Sequence, residues 1–250
     1  MPDALRVLDL FSGIGGFSLG LERTGGFKTV AFCEIDPFCR RVLAKHWPDV
    51  PCYEDVCELT ADTLARDGVA VDVICGGFPC QDVSKAGRKL GLNGERSGLW
   101  DEFARLIGEL QPRFSIVENT AGLLDDGMGD VLGDLAALGY DADWGCVRAS
   151  DMGAPHERER VFIVAHPAGV RQSEPRHGWA NACRYAPHGK WETTDAVDAL
   201  RRGAVPVLCR EHDGTADRLH RMHALGNAVV PQIPEMIGRA LLAALERTDA

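Results

Sequence analysis

Phe78-Pro79-Cys80-Gln81 sets a thiol just past an apolar run, Val71 to Cys75, and a glycine pair, Gly76-Gly77. A run bounded by Gly and Pro reads as a buried strand of a parallel sheet, and open α/β sheets hold their ligands beyond the carboxyl ends of such strands. Pro79 restrains the backbone before the thiol, and two glycines read as a turn let a substrate approach closely. An arbitrary cysteine is more often a small core residue. Presented this way, Cys80 reads as a nucleophile, because the thiolate is the species that attacks. Further along, Arg158 and Arg160 alternate at what reads as the start of a strand, so both point to one face. Two guanidinium groups on one face suit a carbonyl and a nearby phosphate.

A second constellation lies near the start of the chain. Asp9-Leu10-Phe11-Ser12-Gly13-Ile14-Gly15-Gly16-Phe17 follows a short strand and opens a helix. Glycines there bring backbone amides close to a ligand at a helix N-terminus. The spacing is G-x-G-G rather than the dinucleotide G-x-G-x-x-G, and no lysine follows as in a phosphate-binding loop. A nucleotide-like ligand without a pyrophosphate fits better. Glu34, at the end of the second strand, can accept hydrogen bonds from ribose hydroxyls, although an exposed surface acid is an equal reading at this stage.

The elements that must carry these residues alternate. Strands are expected at Val7 to Leu10, Thr29 to Cys33, Val71 to Cys75, Phe114 to Glu118, Tyr140 to Arg148 and Arg160 to Ala165. Helices are expected at Phe17 to Thr24, Pro37 to His46, Leu99 to Leu110, Gly129 to Leu138 and Pro234 to Glu246. Such alternation predicts a doubly wound α/β sheet. The pattern breaks after His166. Residues 167–220, rich in Pro, Gly, Arg, His and Trp with one short helical stretch at Thr194 to Arg202, read as a small loop-rich recognition lobe. The expected organisation is a catalytic and cofactor-binding domain over 1–166, the lobe over 167–220, and a segment over 221–250 that returns to the first domain.

With 250 residues, 45% of them hydrophobic, the chain can bury one substantial core. No leader is visible at Met1 and no stretch reads as a membrane span, so a cytoplasmic protein is expected. Nine cysteines, an odd number, suit free thiols in a reducing compartment. The net charge of −10 opposes polyanion binding, but residues 166–223 hold nine Lys and Arg against seven Asp and Glu, with six His. Cys183, His188, Cys209 and His212 could hold zinc, though the spacing is loose and C-x-x-C is absent, which favours ordinary structural residues.

Five stretches in order carry a resemblance: Asp9 to Glu22 (DLFSGIGGFSLGLE), Gly77 to Gln81 (GFPCQ), Glu118-Asn119-Thr120, His156 to Phe162 (HERERVF) and Gly226 to Pro231 (GNAVVP). Together they resemble the ordered motifs of the DNA cytosine-5 methyltransferases. The resemblance implies a Rossmann-like S-adenosylmethionine-dependent methyltransferase fold with a mixed, doubly wound sheet. It implies S-adenosylmethionine against Phe11, Ser12, Gly13, Gly15, Gly16 and Pro79, with Glu34 on the ribose, Ile35 over the adenine and Asp55 at the adenine amino group. Asn227 and Ala228 would close that pocket. Ile35 stands where the family often has a larger aromatic, and His156 where its motif begins with Gln. The family's Arg-x-x-Thr-Pro-Arg-Glu stretch is absent, its place taken by Asp213 to Ala224 (DGTADRLHRMHA), which implies a compact variant.

The implied chemistry explains the residue types. Carbon 5 of cytosine is a poor nucleophile until a thiolate, Cys80, adds to carbon 6. Glu118 would hold or deliver a proton at ring nitrogen 3, unless it is merely a salt-bridged or capping acid. Arg160 would lie by the flipped cytosine, with Arg158 secondary. Since the ring is stacked in a duplex, it must rotate into the pocket, and the Gly-rich basic stretch Ser84 to Trp100 reads as a loop that closes on DNA. Double-stranded DNA is the expected partner, a restriction endonuclease a functional companion, and a monomer the expected state. Rival readings are a tRNA cytosine-5 methyltransferase, an inactive DNA-binding relic and, weakest, a nicotinamide oxidoreductase.

Overall fold

A computed structural model describes residues 4–79, 98–154, 156–169 and 224–248. Its centre is a seven-stranded sheet made of β1 (Leu5–Leu10), β2 (Phe27–Cys33), β3 (Cys52–Tyr53), β4 (Val73–Gly77), β5 (Phe114–Thr120), β6 (Tyr140–Arg148) and β7 (Glu159–Pro167). The order across the sheet is β3-β2-β1-β4-β5-β7-β6. β7 alone runs against the direction of the other six strands. The β7 reversal matters for chemistry: in register Thr120 pairs with Arg160, so the start of β7 reaches the same rim as the ends of β4 and β5.

The central strands β1, β4, β5 and β7 are nearly continuous buried runs because both faces are covered, as in buried parallel sheets, whereas edge strand β6 is mostly half-buried or exposed. Alternate residues divide between two cores. Leu8, Leu10, Ile74, Val117, Val161 and Ile163 face one. On that side lie α3 (Ala61–Arg66), α4 (Leu99–Leu110) and α5 (Met128–Ala137). Val7, Val73, Cys75, Ile116, Phe162 and Val164 face the other, with α1 (Gly16–Glu22) and α6 (Gln232–Thr248). α4 shows why the pattern forms a helix: Trp100, Phe103, Leu106 and Ile107 are buried at helical spacing. α2 (Pro37–His46) starts where Asp36 accepts the amides of Phe38 and Cys39, with Pro at the first helical position.

Each expected strand and helix within the described residues is present, several to the residue. β3 and the short α3 were absent from them; a two-residue strand and a six-residue helix offer too little periodicity to read. Gly76-Gly77 is not a turn but the end of β4, paired with Val117 and Glu118. Against the expectation that no stretch matches a membrane span, Ala224–Glu246 does so in length and hydropathy. Residues 228–230 interrupt its helix, however, and Ile233, Met236, Ile237 and Leu241 are packed in the core beside α1. Burying such side chains is worth about 1.5–3 kcal/mol each, which holds this segment on the sheet. The recognition lobe beyond Gly169, its helix at Thr194 to Arg202, the Cys183, His188, Cys209 and His212 set, and Ser84 to Ser97 of the expected closing loop lie outside the described residues.

Candidate active site

The rim formed by the ends of β1, β2, β4 and β5 and the start of β7 gathers the two constellations. On its β5 side Glu118 is buried, and Arg160 Nε stands 3.1 Å from its Oε1. Burial pushes the Glu118 carboxyl above the usual carboxylate range, while the Arg160 and Arg158 charges oppose that rise. The carboxylate occupies space that a side chain at 77 would need, since a Cβ there would stand 2.5 Å from Glu118 Oε2. Gly77 is therefore glycine for room beside an acid, not for a turn.

Beyond Gly77 the chain passes through buried Phe78 to exposed Pro79. Cys80, next in the chain after Pro79, is outside the described residues. Buried Asn119 donates from Nδ2 to the Phe78 carbonyl at 3.0 Å and accepts the Thr120 amide at 2.8 Å. It ties β5 to the segment that leads to the thiol. Phe78 also packs on Trp100 (centroids 5.3 Å), Trp100 stacks on Phe103 (5.7 Å), and Phe103 stacks on Phe11 (6.4 Å). One aromatic row thus joins the glycine loop to the nucleophile segment.

The arginines divide their work. β7 begins at Glu159, so Arg158 precedes the strand rather than alternating along it with Arg160. Its guanidinium donates to the carbonyls of Gly226 (2.6 Å) and Asn227 (3.2 Å), which brings the Gly226 to Pro231 stretch to the rim. Arg160 donates to its neighbour's carbonyl, Glu159 O, at 2.7 Å besides pairing with Glu118. His156 is exposed, and the partial desolvation of its ring together with the Arg158 charge holds it below the usual imidazole range.

On the β1 side the backbone dominates. Phe11 and Gly13 both have positive φ, 51° and 55°. Ser12 is buried, its hydroxyl bonded to the Asp9 carbonyl and 3.2 Å from Cys33 O, bracing β1 against β2. Glu34 accepts Gly13 N–H at 2.7 Å on one oxygen and Asp36 N–H at 2.8 Å on the other. Ile35 beside it is 68% exposed, an apolar side chain left in the open at a strand end. Asp55 is half-buried and accepts Cys57 N–H at 2.9 Å. Gly15 lies under the Trp47 ring, and a Cβ at Gly16 would stand 2.5 Å from the Val229 carbonyl. Both glycines are also demanded by the chain's own packing, Gly16 admitting the segment that follows Asn227 and Ala228.

Asp9, Asn119 and Arg105 were not singled out from sequence. Asp9 is fully buried, accepts Ser18 O–H (2.7 Å) and N–H (3.3 Å), and is pushed up to about 7, chiefly by burial. The available signal was a polar residue inside an apolar run, which folding must satisfy internally.

A sheet ordered 3-2-1-4-5-7-6 with one antiparallel strand, helices on both faces and a ligand rim at the glycine loop defines the Rossmann-like S-adenosylmethionine-dependent methyltransferase fold. Within that class, the C-5 cytosine-specific DNA methylase family matches residues 5–197, and the chain belongs to this family. It is 37% identical over 169 residues to the type II methyltransferase M2.BsuMI of Bacillus subtilis, covering 64% of this chain and 42% of that protein. It is 31% identical over 198 residues to M.AquIA of Picosynechococcus, covering 72% of this chain and 79% of that one. The chain thus spans less than half of the first relative's length. In fold it is similar to the Entamoeba histolytica methyltransferase EhMeth, with TM-score 0.64, 14% identity, and coverage of 97% of this chain and 99% of that one.

Proposed function

We propose that the chain transfers a methyl group from S-adenosylmethionine to carbon 5 of a cytosine rotated out of duplex DNA, through an adduct of Cys80 at carbon 6. The observation that carries this reading is the buried Glu118–Arg160 pair at the end of β5, directly beside the strand that leads into Phe78-Pro79-Cys80. Burial favours the protonated form of this carboxyl, and in that form it would donate at ring nitrogen 3, making carbon 6 electrophilic as the Cys80 thiolate adds. Arg160, 3.1 Å from that carboxyl, would meet the base carbonyl. Arg158, bonded to Gly226 and Asn227, positions the C-terminal stretch rather than the base.

The β1 side fits the methyl donor. Each Glu34 oxygen accepts one amide and keeps a lone pair for a ribose hydroxyl. Exposed Ile35 offers an apolar surface for adenine, and Asp55 keeps acceptor capacity for its amino group. Phe11, Ser12, Gly13, Gly15, Gly16, Pro79, Asn227 and Ala228 complete the set. When bound, S-adenosylmethionine supplies an electrophilic methyl sulfonium. Residues 167–220 read the target sequence, and a companion restriction endonuclease is the functional partner.

The test is transfer of tritiated methyl to duplex DNA, with tRNA as the competing substrate. We expect label in duplex DNA, none with Cys80→Ser, and a Cys80-dependent adduct on duplex carrying 5-fluorocytosine. Label in neither nucleic acid would overturn the reading, and label in tRNA alone would move the substrate to RNA.

A further inference from the structure

Arg105 sits on α4, away from the rim, with its side chain turned to the loop between β3 and α3. Its guanidinium makes four hydrogen bonds: Nε to Glu102 at 2.7 Å, Nη1 to Glu109 at 2.7 Å, and Nη2 to the carbonyls of Val56 at 3.1 Å and Leu59 at 2.8 Å. Glu109 then accepts Ala61 N–H at 2.9 Å, the first amide of α3. Two carboxylates fix and neutralise the cation, and its free edge grips main-chain carbonyls.

The gripped loop begins at Asp55. The Asp55 carbonyl accepts the amides of Glu58 and Leu59, both at 3.2 Å, and its Oδ1 accepts Cys57 N–H. Asp55 therefore opens a single turn whose hydrogen bonds at Val56 and Leu59 end on Arg105. Val56 and Leu59 are themselves buried in the core beside α4. A one-turn loop has no ladder of its own, so without the guanidinium the two carbonyls lose their partners and the turn its anchor. Only arginine presents a rigid fork wide enough to meet two acids and two carbonyls at once; a lysine ammonium has three donors at one point.

We infer that Arg105 is a positioning residue for the adenine end of the methyl donor: it holds the Asp55 turn so that the carboxylate meets the adenine amino group. This rests on the reading of Asp55 in the proposed function. Its consequence is that Arg105 sets affinity for the donor and preference for adenine over a 6-oxo purine, not the rate of the chemical step.

The experiment titrates the full-length protein with S-adenosylhomocysteine and with S-inosylhomocysteine, for wild type, Arg105→Lys, Arg105→Met and Asp55→Asn. Methyl transfer is measured in parallel as KM for S-adenosylmethionine and kcat. Loss of one charge-assisted contact to the adenine weakens binding about tenfold. We expect that loss for the adenine ligand with both Arg105 variants, little change for the inosine ligand, and an effect on KM rather than kcat. Circular dichroism melts check folding, and the lysine variant keeps the test alive if the methionine variant unfolds. Wild-type preference in Arg105→Lys, with Asp55→Asn showing its loss, would overturn the Arg105 role alone. Wild-type preference in Asp55→Asn would overturn the Asp55 reading and the inference with it. Equal weakening of both ligands, or a fall in kcat matching the rise in KM, would make Arg105 a general stabiliser and also overturn the inference.

Discussion

The two halves of the rim are built on opposite plans. Where β1 meets β2, main-chain amides do the work: Glu34 is already bonded to Gly13 and Asp36, Ser12 braces two strands, and Gly16 admits a carbonyl from another segment. Where β5 meets β7, charged side chains do it: Glu118 is buried against Arg160 with its carboxyl pushed up. A preformed cradle binds a ligand by shape, while a buried acid set against an arginine holds an arrangement whose use would lie in the reaction. Substitutions on the first side should therefore act on stability and donor affinity, and those on the second on rate.

The sharpest way to break this contrast is Glu118→Gln, which keeps the shape and removes the transferable proton. We expect methyl transfer to fall roughly 10³-fold with donor binding intact, read by single-turnover kinetics. A comparable loss of donor affinity would erase the division. Next in size is Arg160→Met, with a fall of about 10²-fold. It carries a signed pH effect. Arg160 lowers the Glu118 pKa, so its removal raises it. If the protonated acid is the working form, activity declines as pH rises past that pKa, and the decline in Arg160→Met moves to higher pH. A decline that stays put would separate Arg160 from the acid.

Two glycines test the same contrast at one atom each. A methyl at Gly77 meets the tip of Glu118, a side chain that can shift; a methyl at Gly16 meets the Val229 main chain, which cannot shift alone. Gly77→Ala should lower the rate about tenfold or more through misplacement of the acid, with melting temperature nearly unchanged. Gly16→Ala should destabilise by about 1–3 kcal/mol in urea melts, with activity per folded molecule retained better. The reverse pairing of outcomes would contradict the plan.

What could be read in advance follows the range of the forces involved. β1 and β5 were legible as short continuous apolar runs, and α2 and α4 because buried residues recur along them at helical spacing. Glu118 and Arg160 were legible as types at strand ends. Their meeting was not, because it depends on β7 running antiparallel so that its start lies at the end of β5. The purpose of Gly77 and Gly16 was hidden for the same reason: each answers to a residue more than forty positions away, and glycine in a sequence announces a turn before it announces a neighbour. Arg105 carried no sequence signal at all, because the carbonyls of Val56 and Leu59 that it meets lie more than forty residues away.

Asp9 offers the smallest effect and the finest distinction, because it is a second buried acid near the rim yet belongs to the structural plan. Its carboxyl is pushed to about 7 from an ordinary 3.8, first by burial, while the hydrogen bonds from Ser18 oppose the rise. The sign follows from linkage. Below about pH 4 both folded and unfolded chains hold the proton and this contribution to stability is complete. Between about 4 and 7 the unfolded chain ionises first, so stability falls as pH rises, by at most about 1.4 kcal/mol per pH unit from one group. Asp9→Asn keeps an oxygen to accept Ser18 N–H and O–H but has no proton to lose. Urea midpoints of the two proteins at pH 5, 6, 7 and 8 should therefore diverge in favour of the variant as pH rises, and the divergence should level off above 7. The pH dependence of kcat should be the same in both, since in the proposed reaction the titrating acid is Glu118. A stability difference independent of pH would mean that Asp9 is ionised when folded, and a shift in the kcat profile would place it on the catalytic side of the contrast.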